Sequence, residues 1–403
     1  MNQIPTKGMA FDHAMLRKAE AFNLLAELCQ DLEPTDTQKD AAQTSYEAVG
    51  EHLSASEHPF LRRMRIYPHG STALGTTVKP IGRDEYDVDL IAFTPDFPAT
   101  RPAAELKKLV GDHLRSHGRY TPILEEKKRC WRLNYARQFH LDITPSILNP
   151  QCPNGGELVP DKQVRDWKAT NPKGYKTLFE RRCALQPRMR LRKMIAADSA
   201  AYASVEQFPI YSGRKAILQL IVQLQKRHRD IHFQEIEADI APISIIITTL
   251  AAQSYEHCVA QYTFDTEMDV LIATIRMMPH FIERPFVNGK RLYVVPNETT
   301  QGENFAERWN NEPARAAAFY EWHTQALQDF EAIAAAEGTD VLAKRLDGPL
   351  GTAPVRRVLD ARTSVVSEAR RNQRLYVAPA VGLTLASTTR ATAVPRNTHF
   401  GDL

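Results

Sequence analysis

Little in this sequence suits an oxidising or membrane setting. Its 403 residues include only five cysteines, Cys29, Cys130, Cys152, Cys183 and Cys258, odd in number, scattered and without CxxC spacing. That pattern excludes a disulfide framework or a zinc ribbon as the organising device and fits reduced thiols. The opening MNQIPTKGMAFDHAML has no apolar core of signal-peptide length, and no later run is long and uncharged enough to span a bilayer. A cytoplasmic protein that uses no membrane is expected. Net charge is scarce too, +3 at pH 7, too small to announce nucleic-acid binding by itself. No internal repeat is visible. The remainder, 43% hydrophobic and 25% charged, is the composition of a soluble globular protein, long enough for two domains with their own cores.

What is present centres on Pro68–Phe93, PHGSTALGTTVKPIGRDEYDVDLIAF. Its closing part reads as a strand, so Asp87 and Asp89 share one face while Val88 and Leu90 share the other. Two carboxylates side by side repel each other unless something cationic sits between them. A pair of Mg²⁺ ions answers that need, since hard cations take oxygen ligands and carry phosphates. Gly70-Ser71 supplies a phosphate cradle: the glycine lets backbone approach closely, and the serine hydroxyl and backbone N–H groups donate. A solvated edge strand is the plainer account of Asp-x-Asp alone. Gly-Ser upstream and a third carboxylate downstream make it the weaker one.

Residues 10–30 predict an amphipathic helix, and Glu33-Pro34-Thr35-Asp36 a turn into the N-cap of a second helix ending near Leu53. Arg65–Tyr67 reads as a short strand leading to Gly70-Ser71, and Ala103–Ser116 as a helix. A strand pair follows at Trp131–Tyr135 and Phe139–Ile143, ended by Pro145. Residues 149–174 read as loop, with Asn171-Pro172 a turn signal and Trp167 an anchor. Beyond about residue 205 helices dominate. Arg214–His228 and the nearly all-apolar Ile240–Ser254 are two of them, followed by helices at Glu303–Trp309 and Ala316–Glu337. Asn288-Gly289 marks a hairpin turn. From Tyr376 an extended tail is expected.

Asp142 is the discriminating residue, the polar position of an otherwise apolar strand. A carboxylate pair on one strand and a third on its neighbour is what two-metal phosphoryl transfer requires. Asp87 and Asp89 would bridge both ions, with Asp142 as ligand and general base beside the attacking hydroxyl. Attack on the α-phosphate in line expels pyrophosphate, and positioning with charge neutralisation does most of the work.

Gly-Ser followed by an hDhDh strand and a later isolated Asp is the pattern of the polymerase-β-like nucleotidyltransferases. More finely, PHGSTALGT…EYDVDLIAF, RCWRLNYARQFHLDITPSI, WKATNPKGY, QLQKRHRD, APISIIITTLAAQSY and NETTQGENFAERW together resemble the bacterial cGAS/DncV-like (CD-NTase) family over roughly residues 60–325. The resemblance implies an α+β, two-lobed fold: a mixed sheet flanked by helices over residues 1–205, with N-terminal helices, and a helical lobe over 206–375 closing the nucleotide cleft. Residues 376–403 would be the tail. It implies Mg²⁺-dependent synthesis of a cyclic oligonucleotide from NTPs, ATP among them, with Mn²⁺ able to substitute. The product would be a second messenger that acts on a downstream effector in anti-phage defence (CBASS).

By the same resemblance Gly70 and Ser71 contact the donor triphosphate, and Asp87, Asp89 and Asp142 are the metal-binding triad. Lys226 and Ser244 match the helical-lobe residues at the triphosphate's far end. Lys226 can also be read as a cation at a helix C-terminus, with Arg227 or Arg229 in its role, and Ser244 as a hydroxyl bonded to its own helix. Asn171 matches a lid residue facing a nucleotide base, or is plain turn chemistry. The basic run Arg181, Arg182, Arg188, Arg190, Arg192 and Lys193 reads as a solvated helix face, and a nucleic-acid activator is not expected. His257-Cys258 has no partners at zinc-ligand spacing. Trp309 and Trp322 read as core anchors. The ending VPRNTHFGDL resembles tails through which ancillary regulators act, although here the chain runs past Gly401. Two rivals stand: a transferase making linear oligonucleotides or tagging RNA or protein, and a non-catalytic nucleotide- or RNA-sensing module.

Overall fold

The computed structural model describes residues 7–82, 85–135, 139–152, 154–161, 166–190, 215–234, 238–378, 382–385 and 391–395. Two helices come first, α1 (Lys7–Asp31) and α2 (Asp36–Ser54). The second opens on a capping box: the Thr35 hydroxyl accepts from the Gln38 N–H at 3.3 Å, and the Gln38 side chain accepts from the Thr35 N–H at 2.9 Å. Then follow β1 (Arg65–Pro68), the one-turn α3 (Gly70–Leu74), β2 (Tyr86–Phe93), α4 (Ala103–Arg115), β3 (Leu124–Glu126), β4 (Trp131–Tyr135) and β5 (Phe139–Leu148). The next segment gives β6 (Glu157–Asp161), β7 (Asp166–Thr170), α5 (Pro172–Cys183) and β8 (Arg188–Met189).

From residue 215 helices prevail: α6 (Ile217–His232), α7 (Ser244–Gln261) and, after the short β9 (Thr263–Phe264), α8 (Glu267–Met277). A hairpin, β10 (Phe286–Val287) and β11 (Lys290–Arg291), turns at Asn288-Gly289, both at positive φ. It leads to α9 (Pro313–Ala334), α10 (Thr339–Leu350) and α11 (Thr352–Arg371). The C-terminal stretch is not simply extended: β12 (Tyr376–Ala378) pairs with β13 (Gly382–Thr384) and β14 (Thr392–Ala393). Residues 396–403, which hold most of VPRNTHFGDL, lie outside the described residues. Among the described residues no helix is long and apolar enough to cross a membrane.

The main sheet runs β1-β2-β5-β4-β3, with β6 on β5 and β7 on β6. It is mixed: β2 and β5 are parallel, their neighbours antiparallel. Side-chain alternation gives it two unlike faces. Val88, Leu90, Leu133, Leu141 and Ile143 pack with Leu106, Val110 and Leu114 of α4 and with Val49 and Leu53 of α2. Asp87, Asp89 and Asp142 stand on the other face. A second core joins α6 to α10 with α1, whose Phe22, Leu25 and Leu28 are fully buried in it. Leu74 of α3 and Phe179 of α5 also belong to this helical core. Trp309 and Trp322 are buried there, as expected, and the Trp322 indole donates to His228 Nδ1 at 3.0 Å.

Four expectations need correction. Pro145 does not end β5, which runs on to Leu148. Pairing with β4 stops at Ile143 and pairing with β6 starts at Ile147, so Pro145 falls in a gap where its missing N–H costs no ladder bond. Residues 149–174 are not all loop but contain the β6–β7 hairpin; ELVPD and DWKAT are short and carry no clean alternation. Glu303–Trp309 is not a regular helix: Asn304 bridges back to Pro296, and only Glu307–Asn310 turns, as a 3₁₀ helix. The basic run is exposed at Arg181, Arg188 and Arg190, as a solvated face would be, but not at Arg182. Arg182 is buried and forks onto Glu298 at 2.7 and 2.9 Å, Arg181 pairs with Glu256 and Arg190 with Asp265, while Arg188 donates to the Ala260 carbonyl. Arg192 and Lys193 lie outside the described residues.

The sheet's back layer is packed without slack at one point. A Cβ added to Gly111 of α4 would lie 2.1 Å from Trp131 Cζ2, and that indole is itself pinned by its bond to the Lys107 carbonyl at 2.8 Å. Gly111→Ala is therefore expected to lower stability by about 1–3 kcal/mol, read as a lower urea midpoint. An unchanged midpoint would mean that Trp131 yields freely.

Candidate active site

Gly70 sits at φ +61°, a conformation that a side chain disfavours, and a Cβ there would lie 2.5 Å from Asp89 Oδ2. Two separate reasons thus demand glycine where β1 hands over to α3. The turn is tied to β2 as well, since the His69 N–H donates to the Asp89 carbonyl at 2.9 Å. Ser71 follows at the head of α3, and its hydroxyl accepts from Thr77 Oγ1 at 3.3 Å.

On β2, Asp87 is exposed and Asp89 half-buried, while Tyr86, Val88 and Leu90 between and beside them are buried. The parallel register sets Asp89 directly beside Asp142 of β5, and the antiparallel register sets Arg132 of β4 beside Asp142 on the other side. Arg132 forks onto Asp142, Nε to Oδ1 at 2.7 Å and Nη2 to Oδ2 at 2.8 Å. The same Nη2 reaches Asp87 Oδ1 at 3.0 Å. Burial, then the charges of Asp142 and Asp87, push the Asp89 carboxyl up to about 7. Burial also raises that of Asp87, against the pull of Arg132.

The helical core supplies the opposite wall. Lys215, just ahead of α6, and Gln219, Gln223 and Lys226 on it recur at three- and four-residue intervals, one helix face. Each donates to a backbone carbonyl at or just after the end of α3: Lys215 to Gly75, Gln219 to Leu74 at 2.9 Å, Gln223 to Thr77 at 2.9 Å and Lys226 to Thr76 at 2.8 Å. The row clasps the Gly-Ser loop to α6. Burial foremost, then the charge of Arg229, lowers the Lys226 ammonium to about 8. At the start of α7 the Ser244 hydroxyl accepts from Arg229 Nη2 at 3.2 Å, and Thr248 Oγ1 donates to the Ser244 carbonyl at 2.8 Å.

These groups enclose a cleft of about 340 Å³ lined by Gly70, Ser71, Asp87, Asp89, Lys226 and Ser244. Six of the eight residues singled out in the sequence therefore meet in one cavity. Asp142 joins them through its register neighbour Asp89. Asn171 does not: it caps α5, accepting from the Gly174 N–H at 2.9 Å, while its amide donates to the carbonyls of Asn154 and Thr299. Arg132 and Thr248 were not singled out, and Arg229, named only as a substitute for Lys226, lines the cleft beside it. Strand alternation in WRLNY, with Trp131 and Leu133 inward, would have turned Arg132 onto the acidic face.

The donor set is all oxygen, and two of its carboxylates already share a cation, which suits a hard divalent ion. Among the described residues no three His, Cys, Asp or Glu side chains converge on one point. Both Asp142 oxygens are taken by the fork to Arg132.

Over residues 21–183 the chain matches the Second Messenger Oligonucleotide or Dinucleotide Synthetase domain. It is 29% identical over 386 residues to a c-di-GMP synthase of Roseivirga ehrenbergii, which covers 96% of this chain and 98% of that protein. It is 30% identical over 303 residues to the cyclic dinucleotide synthase CdnG of Bradyrhizobium diazoefficiens, covering 71% of this chain and 69% of that protein. The solved structure of that CdnG in complex with GTP matches with a TM-score of 0.62 at 25% identity, over 84% of this chain and 97% of the other. Fold and relatives together make this an enzyme of the nucleotidyltransferase class. Within that class the chain belongs to the bacterial cGAS/DncV-like nucleotidyltransferase (CD-NTase) family.

Asp89 also carries a stability signature. Its carboxyl pKa stands at about 7 in the fold against an ordinary value of 3.8, so between those values the folded state binds more protons than the unfolded chain. Stability contributed by the protonated form is thus present below about pH 4 and lost as pH rises through 7. In EDTA, Asp89→Asn is expected to unfold at a higher urea midpoint than the wild type at pH 8, by on the order of a few kcal/mol, with the advantage shrinking toward pH 4. An equal difference at both pH values would place the strain elsewhere.

Proposed function

We propose that this enzyme makes a cyclic dinucleotide second messenger by two successive nucleotidyl transfers in the one cleft, each releasing pyrophosphate. The observation that carries the reading is the meeting of Gly70-Ser71, Asp87, Asp89, Lys226 and Ser244 around a single cavity, with Asp142 beside Asp89. The sheet lobe, read from the sequence as residues 1–205, provides the carboxylates. The helical lobe, read as 206–375, provides the cations and hydroxyls that close over the triphosphate.

Each residue's task follows from where it stands. Backbone at Gly70 lets a phosphate come close, and the Ser71 hydroxyl is free to turn its proton toward it. Lys226 and Arg229 face the same space from α6, with Ser244 and Thr248 adding hydroxyls from α7. Held between lobes, the triphosphate lies in line with an acceptor hydroxyl, and that positioning supplies much of the rate. Asp142, oriented by Arg132 and beside Asp89 in the register, is the base that accepts the hydroxyl proton. Asp87, Asp89 and Asp142 would hold a divalent cation, Mg²⁺ with Mn²⁺ as substitute, which offsets the phosphate charge and acidifies the attacking hydroxyl. Asn171 would reach a base only by giving up its cap and its two carbonyl bonds.

The relatives guide the choice of substrate. One is named a c-di-GMP synthase, and the structure of CdnG holds GTP, so GTP is the first substrate to test here, ahead of ATP. A cytoplasmic enzyme whose product drives an effector against phage is the setting in which such a messenger would serve.

The test is direct. The purified chain is incubated with α-labelled NTPs and Mg²⁺ or Mn²⁺, treated with alkaline phosphatase, and the survivors are separated. A resistant product that needs GTP and is absent from the Asp87→Ala/Asp89→Ala variant is expected. A product that phosphatase degrades would instead favour a linear transferase, because a cyclic product has no terminal phosphate. Gly70→Ala should leave the protein folded and cut turnover by about 100-fold, the scale of a displaced reacting group. Full activity in that variant would remove Gly70 from the cradle.

A further inference from the structure

Arg132 lies inside the acidic cluster, and its three hydrogen bonds are of two kinds. Both arms of its fork grip Asp142, from a strand whose register already pairs the two residues. Both side chains are mostly covered, 20% and 14% exposed. That bond is set by the sheet. The bond to Asp87 is different: it is single, it is the longest of the three, it borrows an Nη2 already given to Asp142, and its acceptor is 54% exposed. One link of the bridge is therefore fixed and the other is open to exchange.

We infer that Arg132 is a positioning residue that fixes the orientation of Asp142 beside Asp89 and, through Asp87, holds the place of a divalent cation, which enters by displacing the Arg132–Asp87 bond. The inference rests on the reading of Asp87, Asp89 and Asp142 as the ligand set. Chemistry favours an arginine for such a part. Its charge is permanent, so the cluster is never left without a counter-cation, and its planar fork fixes a carboxylate's orientation where an ammonium would not. The guanidinium and a hard cation need the same lone pairs on Asp87 and repel one another. Competition of this kind weakens ion binding in the nucleotide-free enzyme. A triphosphate adds its own oxygens to the ligand set and tips the exchange, so the ion is taken up together with the nucleotide.

The measurement is Mn²⁺ affinity of the full chain without nucleotide, by the paramagnetic resonance of free Mn²⁺, for wild type, Arg132→Gln, Arg132→Lys and Asp89→Asn. Arg132→Gln is expected to bind Mn²⁺ about 5- to 150-fold more tightly than wild type, the usual span for relief of a coupled competitor. Arg132→Lys, which keeps the charge without the fork, should fall between them, and it carries the same test should the glutamine variant fail to fold. A non-hydrolysable GTP should then enhance Mn²⁺ binding less in Arg132→Gln than in wild type. In turnover, Arg132→Gln should lower kcat while leaving the KM for GTP near its wild-type value. Mn²⁺ affinity that is unchanged or weaker in both Arg132 variants overturns the inference while leaving the ligand set standing. Wild type binding Mn²⁺ no better than Asp89→Asn overturns the ligand set itself.

Discussion

Three carboxylates held on one face of a sheet, with Asp89 and Asp142 side by side, repel one another, and much of the architecture serves to hold them there. The opposing side of the same strands carries Val88, Leu90, Leu141 and Ile143 into a core closed by α2 and α4. Slipping either strand by one residue would turn those side chains out and the acids in. Apolar burial on one face thereby fixes polar placement on the other. The parallel pairing of β2 with β5 needs a long crossover, and α4, β3 and β4 are that crossover. The crossover also delivers Arg132, the cation that makes the cluster tolerable.

A second dependence runs between the lobes. Beyond α3 the chain has little regular structure of its own, so carbonyls there and at the end of α3 need partners from elsewhere. Lys215, just ahead of α6, and Gln219, Gln223 and Lys226 on it supply four. Each such bond contributes only about 1 kcal/mol net, but together they tie residues 74–77 to the helical core. Lys226 illustrates the compromise. Burial brings its ammonium down to about 8, and its bond to Thr76 keeps it at the edge of the cleft with the charge available. The loop is held from its far side too, where the Lys79 N–H donates to the Leu32 carbonyl at 2.7 Å and its ammonium to the Asp31 carbonyl at 3.0 Å.

Much of this was legible beforehand because it is local. Alternation placed Asp87 and Asp89 on one face, the nearly all-apolar Ile240–Ser254 marked a buried helix, and Asn-Gly marked the turn between β10 and β11. Other features were hidden for stated reasons. Pro145 looked like a strand end because a gap between β4 and β6 cannot be seen in one strand. The β6–β7 hairpin was hidden by weak alternation in ELVPD and DWKAT. Arg182 looked solvated because its acids, Glu256 and Glu298, are distant in sequence. Asn171 read as a base contact or as turn chemistry, and its side chain proves to cap α5 at Gly174 and to donate to the carbonyls of Asn154 and Thr299.

By itself, then, the sequence determined most of the candidate residues and which element each rides on, since residue type and periodicity act within a few positions of the chain. Tertiary structure alone decided who stands beside whom. That Arg132 rather than a lysine of the cleft bridges Asp142 and Asp87 follows from the register of three strands. That α6 grips residues 74–77 follows from two cores packing with one helix face between them. Both are contacts between residues far apart in the chain, and their geometry depends on how each buried face finds its partner, which no local spacing encodes.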